Sequence, residues 1–321
     1  MPILVTGGAG FIGSHLVERL LADDREVVVL DAFHDFYDPA EKEQNLARAT
    51  AHPGCRLVRG DIRDEAAVRA AFAGTIEAVV HLAARAGVRP SIADPVDYAS
   101  VNLTGTAVLL EAARRHGVRR FLFGSSSSVY GNNAKVPFSE GDPVDDPISP
   151  YAATKRGGEL LAYTFHHLHG MEVACLRFFT VYGPRQRPDL AIRKFADLMS
   201  RGEEVPVFGD GSSGRDYTYV DDIVEGIVRA IERTRGFHVW NLGGSSPILL
   251  NELVERIARG LDVAPRIRRL PMQPGDVLRT WADIGAVRRD LDWQPRVTFD
   301  DGMSRFLSWF RAARPAAGVR R

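Results

Sequence analysis

Short, almost uniformly apolar runs alternate with stretches of helical periodicity through the first half of the chain. The apolar runs cover residues 3–6, 26–31, 56–61, 78–83, 120–125 and 173–178. Each has the length of a strand and reads apolar almost throughout, which predicts strands covered on both sides. Helical patterns fall between them near residues 11–22, 64–72, 101–116 and 151–169. Strand and helix in alternation predict the α/β class, with a doubly wound parallel sheet flanked by helices.

The second half is less regular, because Pro184, Pro188 and Pro206 divide it into short pieces. A helix is expected over 189–201 and a strand over 205–208, followed by the turn Gly209-Asp210-Gly211. Another helix follows Asp221, and 239–242 reads as a further strand. The expected organisation is a Rossmann domain over 1–179, rejoined by about 215–243. Residues 180–214 and 244–314 then form a smaller mixed lobe for substrate, and 315–321 a frayed tail. There is no internal repeat.

Composition narrows the function classes. With 321 residues, 45% of them hydrophobic, the chain can bury one large core or two smaller ones. A formal net charge of zero argues against a general nucleic-acid binder, and the Arg runs at 114–120 and 266–269 read as solvated faces. No apolar run is long enough to cross a membrane, and the strand at residues 3–6 leaves no secretory signal ahead of it. Cys55 and Cys175 sit in apolar runs and are expected to be buried free thiols, consistent with a cytoplasmic location. His166-His167-x-His169 ends a helix, but that spacing aims the rings poorly and no carboxylate cluster accompanies it, so no metal is expected.

The first strand runs into Thr6-Gly7-Gly8-Ala9-Gly10-Phe11-Ile12-Gly13, which opens the first helix. Gly8, Gly10 and Gly13 satisfy one phosphate-binding spacing, and Gly7, Gly10 and Gly13 satisfy another. Either brings backbone N–H groups and a helix N-terminus to a pyrophosphate. Asp31 ends the second strand, where a carboxylate accepts from both ribose hydroxyls of NAD and repels the 2′-phosphate of NADP. Asp61, beside Ile62, could meet the adenine amino group or cap a helix. His81-Leu82-Ala83-Ala84 ends strand four with small residues, which lets a flat cofactor lie against the backbone, or a helix pack closely.

Strand five ends in Gly124-Ser125-Ser126-Ser127-Ser128-Val129-Tyr130-Gly131, at the sheet end where ligands bind in doubly wound folds. Ser149 and Pro150 then signal a helix start, followed at once by Tyr151-Ala152-Ala153-Thr154-Lys155. Tyr and Lys at i, i+4 share a helix face. Only four of the 41 basic residues are lysines, so Lys155 stands where arginine is the habit. The plainer reading of Lys155 is an exposed pair with Glu159.

These motifs resemble the extended short-chain dehydrogenase/reductase superfamily over most of the chain. Within it, residues 81–89, Arg177-Phe178-Phe179-Thr180-Val181-Tyr182-Gly183-Pro184 and Arg187-Pro188-Asp189 resemble nucleotide-sugar 4-epimerases, nearest those acting on UDP-glucuronate, with UDP-glucose 4-epimerases close by. The resemblance implies bound NAD, held by Gly7, Gly10, Phe11, Ile12, Gly13, Asp31, Asp61, Ile62, Leu82, Ala83 and Ala84 together with Tyr151 and Lys155. It implies that Tyr151 takes the proton of the sugar 4-hydroxyl, its phenolate favoured by Lys155 and the positive nicotinamide. Ser126 aligns with the serine that bonds the 4-oxygen, and Ser127 and Ser128 remain alternatives. They stand where dehydratases and decarboxylases of the superfamily carry an acid.

For the rest of the substrate, the resemblance implies Arg89, Thr180, Val207, Phe208, Arg215, Asp276 and Arg279, with Val207 and Phe208 at the uracil. It assigns Arg187 to a sugar carboxylate, which a guanidinium can hold near the plane of a new C4 carbonyl to disfavour loss of CO2. A UDP-sugar partner and, by analogy, a homodimer through helices 101–116 and 151–169 complete the expectation. The opposing class, a redox-sensing or scaffold subunit, would be expected to lose the tyrosine or the lysine.

Overall fold

The computed structural model describes residues 1–272 and 277–313. Its strands are β1 (Ile3–Thr6), β2 (Val27–Asp31), β3 (Cys55–Arg59), β4 (Ala78–His81), β5 (Arg120–Ser126) and β6 (Glu172–Phe178). The later ones are β7 (Thr180–Tyr182), β8 (Glu204–Phe208), β9 (Gly214–Tyr219), β10 (Phe237–Leu242), β11 (Pro247–Leu249) and β12 (Arg266–Leu270). The helices of the first half are α1 (Phe11–Ala22), α2 (Pro39–Thr50), α3 (Glu65–Ala71), α4 (Val88–Ala93), α5 (Pro95–Ala99), α6 (Gly105–Arg115) and α7 (Pro150–His169). Those of the second half are α8 (Ala191–Ser200), α9 (Val220–Arg233), α10 (Leu250–Leu261), α11 (Gly285–Leu291) and α12 (Phe299–Ala312).

Seven strands form one sheet in the order β10-β6-β5-β4-β1-β2-β3, and every pairing in it is parallel. The order reverses between β1 and β4, which opens a crevice at their carboxyl ends. β1, β2 and β4 are buried at every position, as strands covered on both faces must be. One face of the sheet packs on α1 and α9, and the other carries Leu109, Leu110 and Ala113 of α6 against Val79, Phe121 and Val173.

Of the segment 215–243, only β10 joins the main sheet. β9 instead pairs with β7 and β11 in a three-stranded sheet, and β8 pairs with β12. The helix expected over 101–116 has a π-helical turn at Ser100–Thr104 before α6 begins. α2 was not anticipated, although Asp38 caps it and Pro39 is its first residue. No described helix is long and apolar enough to cross a membrane. Cys175 is a buried free thiol, whereas Cys55 is only half-buried.

Candidate active site

The glycine turn fits only one of the two spacings. Gly7 has φ +71°, and a Cβ there would lie 2.7 Å from the Ala83 nitrogen. A Cβ on Gly13 would fall 2.2 Å from the Gly7 carbonyl oxygen. Gly8 faces the sheet instead, where its Cβ would meet Val29 at 2.7 Å. Gly7, Gly10 and Gly13 therefore line the crevice, and Phe11 and Ile12 join them at the start of α1. Gly13→Ala must shift backbone rather than a side chain. We expect about 1–3 kcal/mol of lost stability and poor retention of dinucleotide, checked by melting temperature and by cofactor content after purification. Wild-type values in both would show that the turn can yield.

Asp31 stands at the end of β2 and is 8% exposed. Its Oδ2 accepts from the Ala9 N–H at 2.9 Å and its Oδ1 from the Phe33 N–H at 2.8 Å. Burial pushes this carboxyl above the usual range, and the two N–H bonds pull against that. The carboxylate thus braces the glycine turn while lining the crevice. Asp61 does not cap a helix. It accepts from the Arg63 backbone N–H at 2.8 Å and from its guanidinium at 2.7 and 2.9 Å, while Asp64 caps α3. Asp61, Ile62, Leu82, Ala83 and Ala84 complete this end of the crevice.

At the other end, Ser149 caps α7, its Oγ accepting from the Ala152 N–H at 3.1 Å, and this aims Tyr151 and Lys155 into the same cavity. Lys155 is not the exposed partner of Glu159. It is 5% exposed, and its Nζ donates to the Gly124 carbonyl at 2.7 Å. Burial lowers its pKa to about 8, against the opposing charge of Glu159. Glu159 is taken by Arg177, whose Nε and Nη2 lie 2.8 and 2.9 Å from its carboxylate oxygens, and by Ser125 Oγ at 2.7 Å. Arg177 Nη1 also donates to the Tyr130 hydroxyl at 3.0 Å, so this buried set ties β5, α7 and β6 together beneath the tyrosine.

Tyr151 faces Tyr98 edge-on with ring centres 6.3 Å apart. Burial pushes its phenol above the ordinary value, while a hydrogen bond with Ser126 and the charge of Arg187 pull it down. The Lys155 ammonium lies 6.0 Å from the Tyr151 ring centre, with its Nζ anchored on the Gly124 carbonyl. Ser126 stands next to the phenol, and its Oγ both accepts from the Ser128 N–H and donates to Ser128 Oγ, each at 3.1 Å. Ser127, Ser128 and Thr180 line the same cavity, of about 490 Å³. The carboxylates on that lining, Asp31 and Asp61, are both at the ends of β2 and β3, away from the serines.

Arg187 lines this cavity too. Its Nε and Nη2 donate to Asp189 at 2.9 and 2.8 Å, and its guanidinium lies 5.5 Å from the Phe36 ring centre. One paired edge of the fork therefore belongs to Asp189. A second cavity of about 180 Å³ is lined by Arg89, Asp189, Phe208 and Arg215 among others. It adjoins the first, since Val88 and Leu190 line one while Arg89 and Asp189 line the other. Arg89 stacks over Phe208 at 4.5 Å. Arg215 donates to the Gly214 carbonyl at 3.0 Å.

Two of the expected substrate residues lie off the walls of both cavities. Val207 is 0% exposed and points into the core, because alternate residues of β8 face opposite ways and Phe208 takes the cavity side. Arg279 is exposed and lines neither cavity, its backbone pairing with Gly214 instead. Asp276 lies outside the described residues.

Sequence reasoning missed Phe36, Tyr37 and Lys42, which wall the crevice between Asp31 and Arg187. Lys42 Nζ donates to the His34 carbonyl at 2.6 Å, and the buried Tyr37 hydroxyl has no hydrogen-bond partner among the described residues. The scarcity of lysine that singled out Lys155 applies equally to Lys42 and could have found it. Asn102, in the π-helical turn, was also missed. It bonds both the Arg85 backbone, at 2.8 and 3.0 Å, and Thr154 Oγ1, at 3.0 Å, joining the loop after β4 to α7.

A dinucleotide crevice at the switch point of a parallel sheet, with a tyrosine–lysine pair at one end, defines an enzyme of the short-chain dehydrogenase/reductase type. Residues 3–243 match the NAD dependent epimerase/dehydratase family, and the chain belongs to it. It is an NAD-dependent epimerase, an isomerase. It is 40% identical to a UDP-glucuronate 4-epimerase of Thermodesulfobacterium geofontis, covering 95% of each chain. The crystal structure of UDP-glucuronic acid 4-epimerase from Bacillus cereus, in complex with UDP-glucuronic acid and NAD, matches with TM-score 0.91 and 33% identity over 98% of this chain and 100% of that one. A dTDP-glucose 4,6-dehydratase from Streptomyces venezuelae with NAD bound also has TM-score 0.91, at 35% identity over 97% of both chains.

Proposed function

We propose that the protein interconverts UDP-glucuronate and UDP-galacturonate by inverting C4 of the sugar. The observation that carries this reading is the convergence of Tyr151, Ser126 and Arg187 on one cavity that continues into the dinucleotide crevice. The residues fit NAD: Gly7 and Gly13 let the turn close tightly on itself and on Ala83, so that its backbone and the start of α1 can face a pyrophosphate, and Asp31 presents a carboxylate to a ribose. When bound, NAD supplies a hydride acceptor and a positive nicotinamide ring.

The chain's own residues then do the following. Tyr151, as phenolate, takes the proton of the 4-hydroxyl as C4 gives up its hydride, and the sugar becomes a 4-ketone. Ser126 donates to the 4-oxygen and holds it beside the phenol. The ketone turns over in the cavity, the hydride returns to the opposite face of C4, and Tyr151 gives its proton back to the oxygen. No oxidant is consumed over the cycle. Lys155 holds a ribose hydroxyl and adds positive charge near the phenolate.

Arg187 distinguishes a uronate from a neutral hexose, by pairing with the C6 carboxylate and keeping it near the plane of the C4 carbonyl. Arg89, Phe208 and Arg215 in the adjoining cavity suit a base and its phosphates. Ser127 and Ser128 stand where a dehydratase needs an acid, and a hydroxyl is a poor one.

Arg187→Ala should lower kcat/KM for UDP-glucuronate by about 10²-fold, the loss of a charge-assisted pair, and change that for UDP-glucose far less. NMR-read turnover of both sugars by wild type and variant checks this. A wild type that prefers UDP-glucose, with a variant that loses nothing on glucuronate, would sink the reading.

A further inference from the structure

The segment that delivers Arg187 runs a strained course and is held there from the dinucleotide side. Arg185 has φ +63°, in the left-handed region that non-glycine residues avoid. The His15 ring of α1 bonds the Pro184 carbonyl at 3.0 Å, and Glu18 of α1 accepts from Arg185 Nη2 at 2.8 Å. The strongest tie is Arg193, in the first turn of α8 and 7% exposed. Its guanidinium donates to both carboxylate oxygens of Glu41 at 2.6 and 2.7 Å, and its Nη1 also donates to the Gln186 carbonyl at 2.7 Å. Glu41 lies in the first turn of α2, one residue before Lys42, which lines the dinucleotide crevice. Neither Glu41 nor Arg193 lines either of the two cavities described above.

We propose that the Glu41–Arg193 pair positions Arg187. The Gln186 carbonyl belongs to the peptide unit that joins Gln186 to Arg187. Bonding it to a guanidinium that is itself fixed by a carboxylate sets the orientation of that peptide, and with it the direction in which the Arg187 side chain leaves the backbone. The pair spans the two halves of the molecule, so the residue that reads the sugar carboxylate is referenced to α2 of the dinucleotide half. This rests on the reading of Arg187 as the carboxylate reader.

The test is a double-mutant cycle on NAD-loaded enzyme with wild type, Glu41→Gln, Glu41→Asp, Arg187→Ala and the Glu41→Gln/Arg187→Ala pair. Glu41→Gln should raise KM for UDP-glucuronate about tenfold, since a displacement of about 1 Å suffices for such effects, with kcat changed less than about threefold. The constant with which UDP-glucose binds, as substrate or competitor, should move less than about twofold. Glu41→Asp keeps the charge and should recover part of the loss. Added to Arg187→Ala, Glu41→Gln should cost nothing further, because the two act through one contact. Equal losses for both sugars, or the same tenfold factor in the Arg187→Ala background, would overturn the proposal and leave the pair as scaffolding. A wild type without preference for UDP-glucuronate would instead remove the substrate reading, and the proposal with it.

Discussion

Tyr151→Phe should lower kcat for epimerisation by about 10²–10⁴-fold, the range for a lost general acid–base group, with the melting temperature and NAD content unchanged. Phenylalanine keeps the ring that packs edge-on against Tyr98 and loses only the hydroxyl next to Ser126. The packing and chemical contributions are thus separable at this one position. The phenol's raised pKa in the chain alone makes the loss informative. Burial dominates there, so the phenolate must draw its stability from Ser126, Arg187, the nearby Lys155 ammonium and the positive ring that NAD would bring. NMR-read turnover beside a thermal melt decides the matter. A variant turning over within tenfold of wild type would remove Tyr151 from the chemistry.

Glu159→Ala should cost about 3–5 kcal/mol of folding stability, the usual loss when one partner of a buried ion pair is deleted. Arg177 is 2% exposed and loses both oxygens of its fork, Ser125 loses its acceptor, and nothing nearby in this set replaces that carboxylate. Replacing both members, as Glu159→Gln with Arg177→Met, should recover part of the loss, because the Arg177 guanidinium is then no longer left buried without its carboxylate. The pair also fixes a pH dependence. Burial alone would raise the Glu159 carboxyl, but Arg177 and Ser125 outweigh it and hold the group below its ordinary value. A depressed folded-state pKa contributes stability that is complete above the unfolded carboxylate value of about 4.3. That stability is lost as pH falls through the lower folded value. Urea unfolding across acidic pH should therefore show wild type losing stability where Glu159→Gln does not. Parallel curves would contradict the assignment.

Most of the main sheet was legible because its signals are local. Runs such as Ile3–Thr6 and Ala78–His81 have no polar face, and a strand between two helical layers needs none. The start of α7 was legible from Ser149 and Pro150, and so was the dinucleotide turn, because the Gly-rich run and the acid ending the next strand are signals carried over short separations. α2 was missed for the opposite reason. Pro39–Thr50 buries only Lys42, Asn45, Leu46 and Ala49, too few apolar positions to mark a periodic stripe. The small sheets were not legible either, since β7 pairs with β9 across a helix and a strand, and short strands with distant partners carry little pattern. Val207 and Phe208 were not separable, because a strand's two faces become distinct only when one of them meets a core.

The sequence by itself determined the layered α/β class, the place of the dinucleotide turn, and the pairing of Tyr151 with Lys155 on one helix face. These follow from backbone geometry, capping and a 3.6-residue repeat, which any stretch of chain carries within itself. Only the tertiary structure decided which glycines face the crevice, that Lys155 is anchored on Gly124 while Glu159 belongs to Arg177, and that Arg187 reaches the cavity of Tyr151. Each of these depends on which side chain gets a partner when water is excluded, and that competition is settled between segments far apart in sequence.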